Sequence, residues 1–237
     1  MRDLVDIIHQ SGAIAGIQIH HAGGKATLEH TYGEPPIVPS LTERSPEGAK
    51  EMTDAQIERV MQAFVAATLR ADRAGFDYVE LHGAHGYLMS QFLSPNTNRR
   101  KDKWGGSLSN RMRFTLETYR RCVKAAGDRL LIGIRLGLAD GRSGGIAPGD
   151  GLAVAHELAA LGCPLIHVSH GGGNPEGVVP EGSPFGAFLH LAEMVKAEVP
   201  VGVIGVGGVF RPEEAEAVLD RGMADLVAVG RGILADP

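Results

Sequence analysis

The densest run of reactive side chains is Glu80-Leu81-His82-Gly83-Ala84-His85-Gly86-Tyr87-Leu88. Two imidazoles three residues apart can hydrogen-bond a substrate oxygen, and a phenol two residues further on can donate a proton. A lone histidine is more often a satisfied structural group, but three such side chains leaving one strand favour a site. His20-His21, His167 and His170 add further imidazoles, which admits a competing reading as a zinc or iron hydrolase. Adjacent residues of a regular strand face opposite ways, so His20 and His21 cannot both enter one site from β geometry. The acids such a metal site wants are also thin, and metal is the weaker reading.

Two polar residues interrupt apolar runs: Gln18 in Ala15-Gly16-Ile17-Gln18-Ile19, and Arg135 in Gly133-Ile134-Arg135-Leu136. A guanidinium there needs an acid, an anionic ligand or a path to water. Glu80 is one candidate partner, and an electron-rich cofactor is another. Near the end, Gly207-Gly208 and Gly230-Arg231-Gly232 each follow an apolar run. Glycines let backbone N–H groups approach an anion, and a following helix N-terminus adds favourable dipole charge. Arg231 strengthens the phosphate reading over that of plain tight turns.

The elements that must position these groups follow from periodicity. Apolar runs at Ile14 to Ile19, Tyr78 to Leu81, Leu130 to Leu136, Leu165 to Val168, Val199 to Val206 and Leu226 to Val229 read as strands covered on both faces. Between them, Ile57, Val60, Met61, Phe64 and Val65 fall at helical spacing behind a Thr53/Gln56 capping box. Further helices are expected from about 107 to 126, around Leu152, Ala155, Leu158 and Ala159, from about 187 to 198, and from Pro212-Glu213-Glu214 onward. Three helices close on glycine (Gly75, Gly162 and Gly222) just before a strand. Repeated helix, glycine, strand means βαβ units in a parallel sheet or an α/β barrel. The long connections from His21 to Met52 and from Gly86 to Gly106 both follow a strand, the end at which such barrels build active sites.

Composition bounds the rest. Of 237 residues 43% are apolar and 22% charged, which excludes wholesale disorder. A net charge of −5 offers nucleic acid no electrostatic footprint. No apolar run reaches membrane-spanning length, and Met1 to Asp6 lacks the apolar core of a signal peptide. Two cysteines cannot build a disulfide framework. The expectation is a cytoplasmic globular protein of one domain over 1–237, and the 33 glycines serve tight turns and close approaches.

The residues quoted above, with Gln91-Phe92-Leu93-Ser94-Pro95, Asn98, Arg100, Asp102, Trp104-Gly105-Gly106-Ser107, Asn110-Arg111 and Arg113-Phe114, make the chain similar to the old yellow enzyme family of FMN-dependent ene-reductases. The resemblance extends through Gly16 to Gly23, Arg135 and Gly230-Arg231, hence over essentially the whole chain. It implies a TIM-type (β/α)8 barrel of class α/β, of which six βα units are visible and the first two are missing, as is the C-terminal helix. It further implies FMN as cofactor and NAD(P)H as reductant. Gln18 would hydrogen-bond the polar edge of the flavin ring, Arg135 would face its N1/O2 side, and Gly207, Gly208, Gly230 and Arg231 would hold the phosphate. His82 and His85 would grip the withdrawing oxygen of a small-molecule activated alkene, and Tyr87 would donate the proton. Gly24 stands where the family usually has arginine, which removes one contact, and Trp104 stands where tyrosine is more usual. A second hypothesis is a non-catalytic barrel fragment that acts only by assembly. Six strands of a parallel barrel leave two unpaired edges, which predicts a homo-oligomer.

Overall fold

The computed structural model describes residues 1–171, 175 and 177–235. They divide into two compact units, Met1–Ile134 and Arg135–Pro237. The first contains α1 (Arg2–Gln10), β1 (Gly16–Ile19), a 3-10 turn at Gly23–Lys25, the short strands β2 (Ile37–Val38) and β3 (Lys50–Glu51), α2 (Asp54–Ala74), β4 (Tyr78–Gly83), α3 (Leu88–Leu93) and α4 (Leu108–Ala126). It closes on the first residues of β5 (Leu131–Ala139). Its main sheet runs in the order β1-β4-β5, and β1 lies parallel to β4 with Gln18 opposite Glu80.

Local sequence explains the helices of this unit. Thr53 Oγ1 accepts the Gln56 N–H at 3.2 Å while Gln56 Oε1 accepts the Thr53 N–H at 2.9 Å, a reciprocal cap that starts α2 where expected. Gly75, at φ +92°, ends it in the left-handed conformation that favours glycine. Ile57, Val60, Met61, Phe64 and Ala71 bury one stripe of α2. Ser107 caps α4, whose Phe114 stacks on Phe92 of α3 with ring centroids 4.3 Å apart. Tyr119 donates its hydroxyl to the Ile132 carbonyl at 3.1 Å, fastening α4 to β5.

Helix α1 has no counterpart among the expected elements, for its amphipathic signal covers nine residues and Val5 alone is buried. What holds it is specific: His9 Nε2 lies 2.7 Å from Asp77 Oδ2, and that same oxygen accepts the Ala15 N–H at 2.8 Å. The His9 hydrogen bond, then the Ala15 amide, holds the Asp77 carboxyl below its ordinary value.

The second unit contains the rest of β5, α5 (Pro148–Ala160), β6 (Leu165–His170), α6 (Ala187–Glu198), β7 (Gly202–Val206), α7 (Pro212–Asp220), β8 (Leu226–Ala228) and α8 (Arg231–Ala235). Its strands run β5-β6-β7-β8, all pairs with described register being parallel. Proline opens α5 and α7, as its fixed φ favours. Gly151 lets α5 lie directly on β5, since a Cβ there would stand 2.1 Å from the Leu138 carbonyl oxygen.

All six expected strands are present, with shifted ends. β4 and β6 run on to Gly83 and His170, so His82, His167 and His170 lie within strands. Val199 caps α6 instead of opening β7. Among the described residues no helix is long and apolar enough to cross a membrane.

Candidate active site

The strand ends of the first unit bring His82, His85 and Tyr87 together. β4 carries His82, which is 4% exposed. His85 and Gly86 then turn the chain at φ +57° and +71°, and Tyr87 becomes the residue before α3. The Ala84 N–H donates to His82 Nδ1 at 3.3 Å, so a neutral His82 carries its proton on Nε2. That nitrogen lies 3.2 Å from His85 Nδ1. A donor on one ring requires an acceptor on the other, which leaves the remaining proton of a neutral His85 on Nε2. The two imidazoles therefore form a directed pair rather than two equal donors.

Tyr87 stands between two histidines. Its ring centroid is 5.0 Å from that of His82 and 4.8 Å from that of His20. His20, weighed in the sequence only as a metal ligand, thus belongs to the aromatic cluster. Its neighbour His21 turns aside and accepts the Gly23 N–H on Nδ1 at 3.0 Å. Burial, then the nearby His20, pushes the His21 imidazole below its ordinary pKa. Lys25 completes the rim, with Nζ 5.2 Å from the Tyr87 ring centroid. Gln18 donates Nε2 to Glu80 Oε1 at 2.5 Å, so the Glu80 carboxylate holds the Gln18 carboxamide at the end of β1.

The other expected residues lie in the second unit. Arg135 sits half-buried in β5. His167, Ser169 and His170 are buried on β6, and burial lowers the His170 pKa. Gly207 and Gly208 follow β7 at φ +102° and +73°, two successive left-handed residues that side chains rarely adopt. Space over Gly208 and Gly230 is open to at least 4 Å, whereas a Cβ on Gly207 would press on Phe188 at 3.1 Å. Gly232 approaches both Val229 and the Phe210 backbone, so the turns after β7 and β8 lie side by side. Exposed Arg231 opens α8 beside them. Unobstructed glycine backbone beside an arginine at a helix start suits a phosphate. Among the described residues no three His, Cys, Asp or Glu side chains are arranged to hold a metal ion.

Comparison with known proteins decides the lineage. The family model for the NADH:flavin oxidoreductase / NADH oxidase family matches residues 1–237. The chain belongs to that family. FMN is the cofactor of these old yellow enzyme-type proteins and NAD(P)H their reductant. The chain is 44% identical over 239 residues to the NADH oxidase of Thermoanaerobacter brockii, an alignment covering 99% of this chain and 37% of that protein. It is 38% identical over 240 residues to the NADPH dehydrogenase of Geobacillus sp. (strain WCH70), covering 100% of this chain and 68% of that one. Among solved structures, a 2-naphthoyl-CoA reductase in complex with 2-naphthoyl-CoA superposes with TM-score 0.88 at 30% identity, over 100% of this chain and 38% of that one. Morphinone reductase gives 0.79 at 28%, over 97% and 65%. The fold class is accordingly the α/β TIM-barrel type, with six of the eight strands of a complete barrel among the described residues.

The open glycine turns and Arg231 fit the phosphate of FMN, and Gln18 and Arg135 have the polar chemistry a flavin ring edge asks for. Sequence reasoning left Lys25 unremarked and quoted Gln91 without a role. The spacing of Lys25, six residues after the end of β1, marks it only as part of a long connection.

Proposed function

We propose that the chain forms one FMN-binding oxidoreductase domain that reduces the activated C=C bond of α,β-unsaturated carbonyl compounds at the expense of NAD(P)H in the cytoplasm. The observation that carries this reading is the directed pair of His82 and His85 beside Tyr87 at the end of β4. The NADPH dehydrogenase and reductase names of the relatives are consistent with it.

When bound, FMN supplies a hydride acceptor for the nicotinamide and a hydride donor for the alkene carbon. The protein does the rest. His82 takes the Ala84 N–H on Nδ1 and so orients His85, whose Nε2–H donates to the carbonyl oxygen of the substrate. Drawing electron density toward that oxygen makes the β-carbon electrophilic. Tyr87 O–H delivers the proton to the α-carbon. Gln18 would hydrogen-bond the polar edge of a bound flavin ring, and Arg135 would supply positive charge to offset the negative charge that grows on reduction. The backbone of Gly207, Gly208 and Gly230, with Arg231, holds the phosphate.

An absorbance spectrum tests the reading. Protein incubated with FMN and desalted should stay yellow, bleach with NADPH and recover its colour on addition of an unsaturated ketone. Protein that emerges colourless, or that stays bleached with the ketone, refutes it.

A second reading, self-association, is favoured by a different observation. Met1, Leu4 and Ile7 at α1 and Ile14 just before β1 are 69%, 50%, 64% and 78% exposed, and β1 stands first in the strand order of the main sheet. An exposed apolar edge of this kind is an association site for a second copy.

A further inference from the structure

We propose that Gln91 is the positioning residue for Tyr87: its carboxamide ties the Gly23–Lys25 turn to the His85-Gly86-Tyr87 bend and so fixes the slot in which the phenol stands. The inference rests on the reading of Tyr87 as proton donor.

Gln91 lies on α3, one turn after Tyr87, and is 6% exposed. Its Oε1 accepts the Gly24 N–H at 3.1 Å, and its Nε2 donates to the Gly86 carbonyl at 2.6 Å. A third bond, from the Leu88 N–H to the His21 carbonyl at 3.0 Å, runs between the same two segments. The turn is shaped around this carboxamide, since a Cβ on Gly23 would stand 2.4 Å from Oε1. The two backbone partners are of opposite type, one donor and one acceptor, and a primary amide offers both at a fixed separation. Glutamate would set an acceptor against the Gly86 carbonyl, leucine offers neither group, and asparagine is a methylene too short.

The slot explains why the tie matters. His20 (4.8 Å) and Lys25 (5.2 Å) flank the Tyr87 ring from the segment on one side of the tie, and His82 (5.0 Å) flanks it from the other. The bend that carries the phenol turns on left-handed His85 and Gly86, so the spacing of the two walls depends on the ties that cross between the segments. Releasing Gln91 leaves two part-buried backbone groups, the Gly24 N–H and the Gly86 carbonyl, without this partner and lets the walls separate. A shift of about 1 Å at a reacting group lowers its rate on the order of 10²-fold.

The test has two arms. In Gln91→Leu, without added flavin, amide hydrogen exchange should quicken about tenfold or more in the peptides covering 20–26 and 84–91, with α2 and α4 unchanged. Unchanged exchange in those peptides overturns the clamp. In the FMN-loaded protein, reoxidation by an unsaturated ketone should slow about 10- to 100-fold with KM little altered, while flavin reduction by NADPH stays within about threefold. Equal slowing of both half-reactions overturns positioning in favour of general damage. Likewise, a Gln91→Leu/Tyr87→Phe double variant slower than Tyr87→Phe by the full single factor overturns it, because the proposal has the tie act chiefly through the phenol. If Gln91→Leu does not fold, Gly23→Ala pushes on the carboxamide from the opposite side and should give the same two signatures; wild-type behaviour there overturns the proposal. Failure of the wild type itself to be reoxidised by the ketone refutes the proposed function, and the exchange arm still decides the clamp.

Discussion

A phenol is a weak acid, and Tyr87 is useful as a proton donor only if its oxygen stands where a carbanion-like carbon forms. Tyr87→Phe removes the hydroxyl and keeps the ring that packs against His20 and His82. Stopped-flow measurement should show ketone-driven reoxidation slowed by about 10²-fold or more, with nicotinamide-driven bleaching unaffected, since no proton transfer from Tyr87 enters the latter. The types and spacing of His82, His85 and Tyr87 could be read from the sequence. Their hydrogen-bond order could not, because it depends on the left-handed turn at His85, and φ is not written in a residue type that rarely adopts it. Gln91 was invisible as a tie for a related reason: both of its partners are backbone groups, which every sequence supplies equally.

Elements with strong local signals matched expectation: the Thr53 cap, the left-handed Gly75 and the proline start of α7 are short-range chemistry. Helix α1 was missed because its anchor, Asp77, lies 68 residues from His9. The polar stretch between α3 and α4 that carries so much of the family resemblance turns out to be a brace. Asn98 donates Nδ2 to the carbonyls of Phe92 and Trp104, both at 2.7 Å. Arg100 reaches the Pro39 and Met52 carbonyls at 2.8 and 2.7 Å and grips Asp102 with Nε and Nη2. Arg100, and after it the Trp104 amide, holds the Asp102 carboxyl below its ordinary pKa. A depressed folded-state value means that the contribution is whole above the unfolded value of about 3.9 and is lost as pH falls through the folded one. Urea midpoints taken from about pH 6 down to pH 3 should therefore fall less steeply for Asp102→Asn than for the wild type. The difference should be modest, since water screens a half-exposed carboxylate. An identical acid limb in both proteins would show that Asp102 is not among the groups that set it.

For the whole molecule, alternation of strand and helix was legible because each βα unit repeats the same punctuation. The division at Ile134/Arg135 was not, for it falls inside the single strand β5. The behaviour expected in solution follows from surface chemistry. Sedimentation equilibrium should find the wild type as an oligomer, and Leu4→Lys with Ile14→Lys should shift it toward monomer by placing charge among the exposed apolar residues of the N-terminal segment. A wild type that sediments as a monomer at all concentrations would remove the association reading and leave the flavin chemistry untouched.

The bend at His85 has a consequence for how such a chain endures heat. A non-glycine residue at φ +57° raises the folded state by roughly 1 kcal/mol, a strain that glycine at the same place would relieve. Selection for thermal endurance alone would thus favour discarding the imidazole that is proposed to face the substrate. On the proposed function, robustness and chemistry compete at this one position, and the left-handed histidine trades some resistance to heat for an imidazole at the bend.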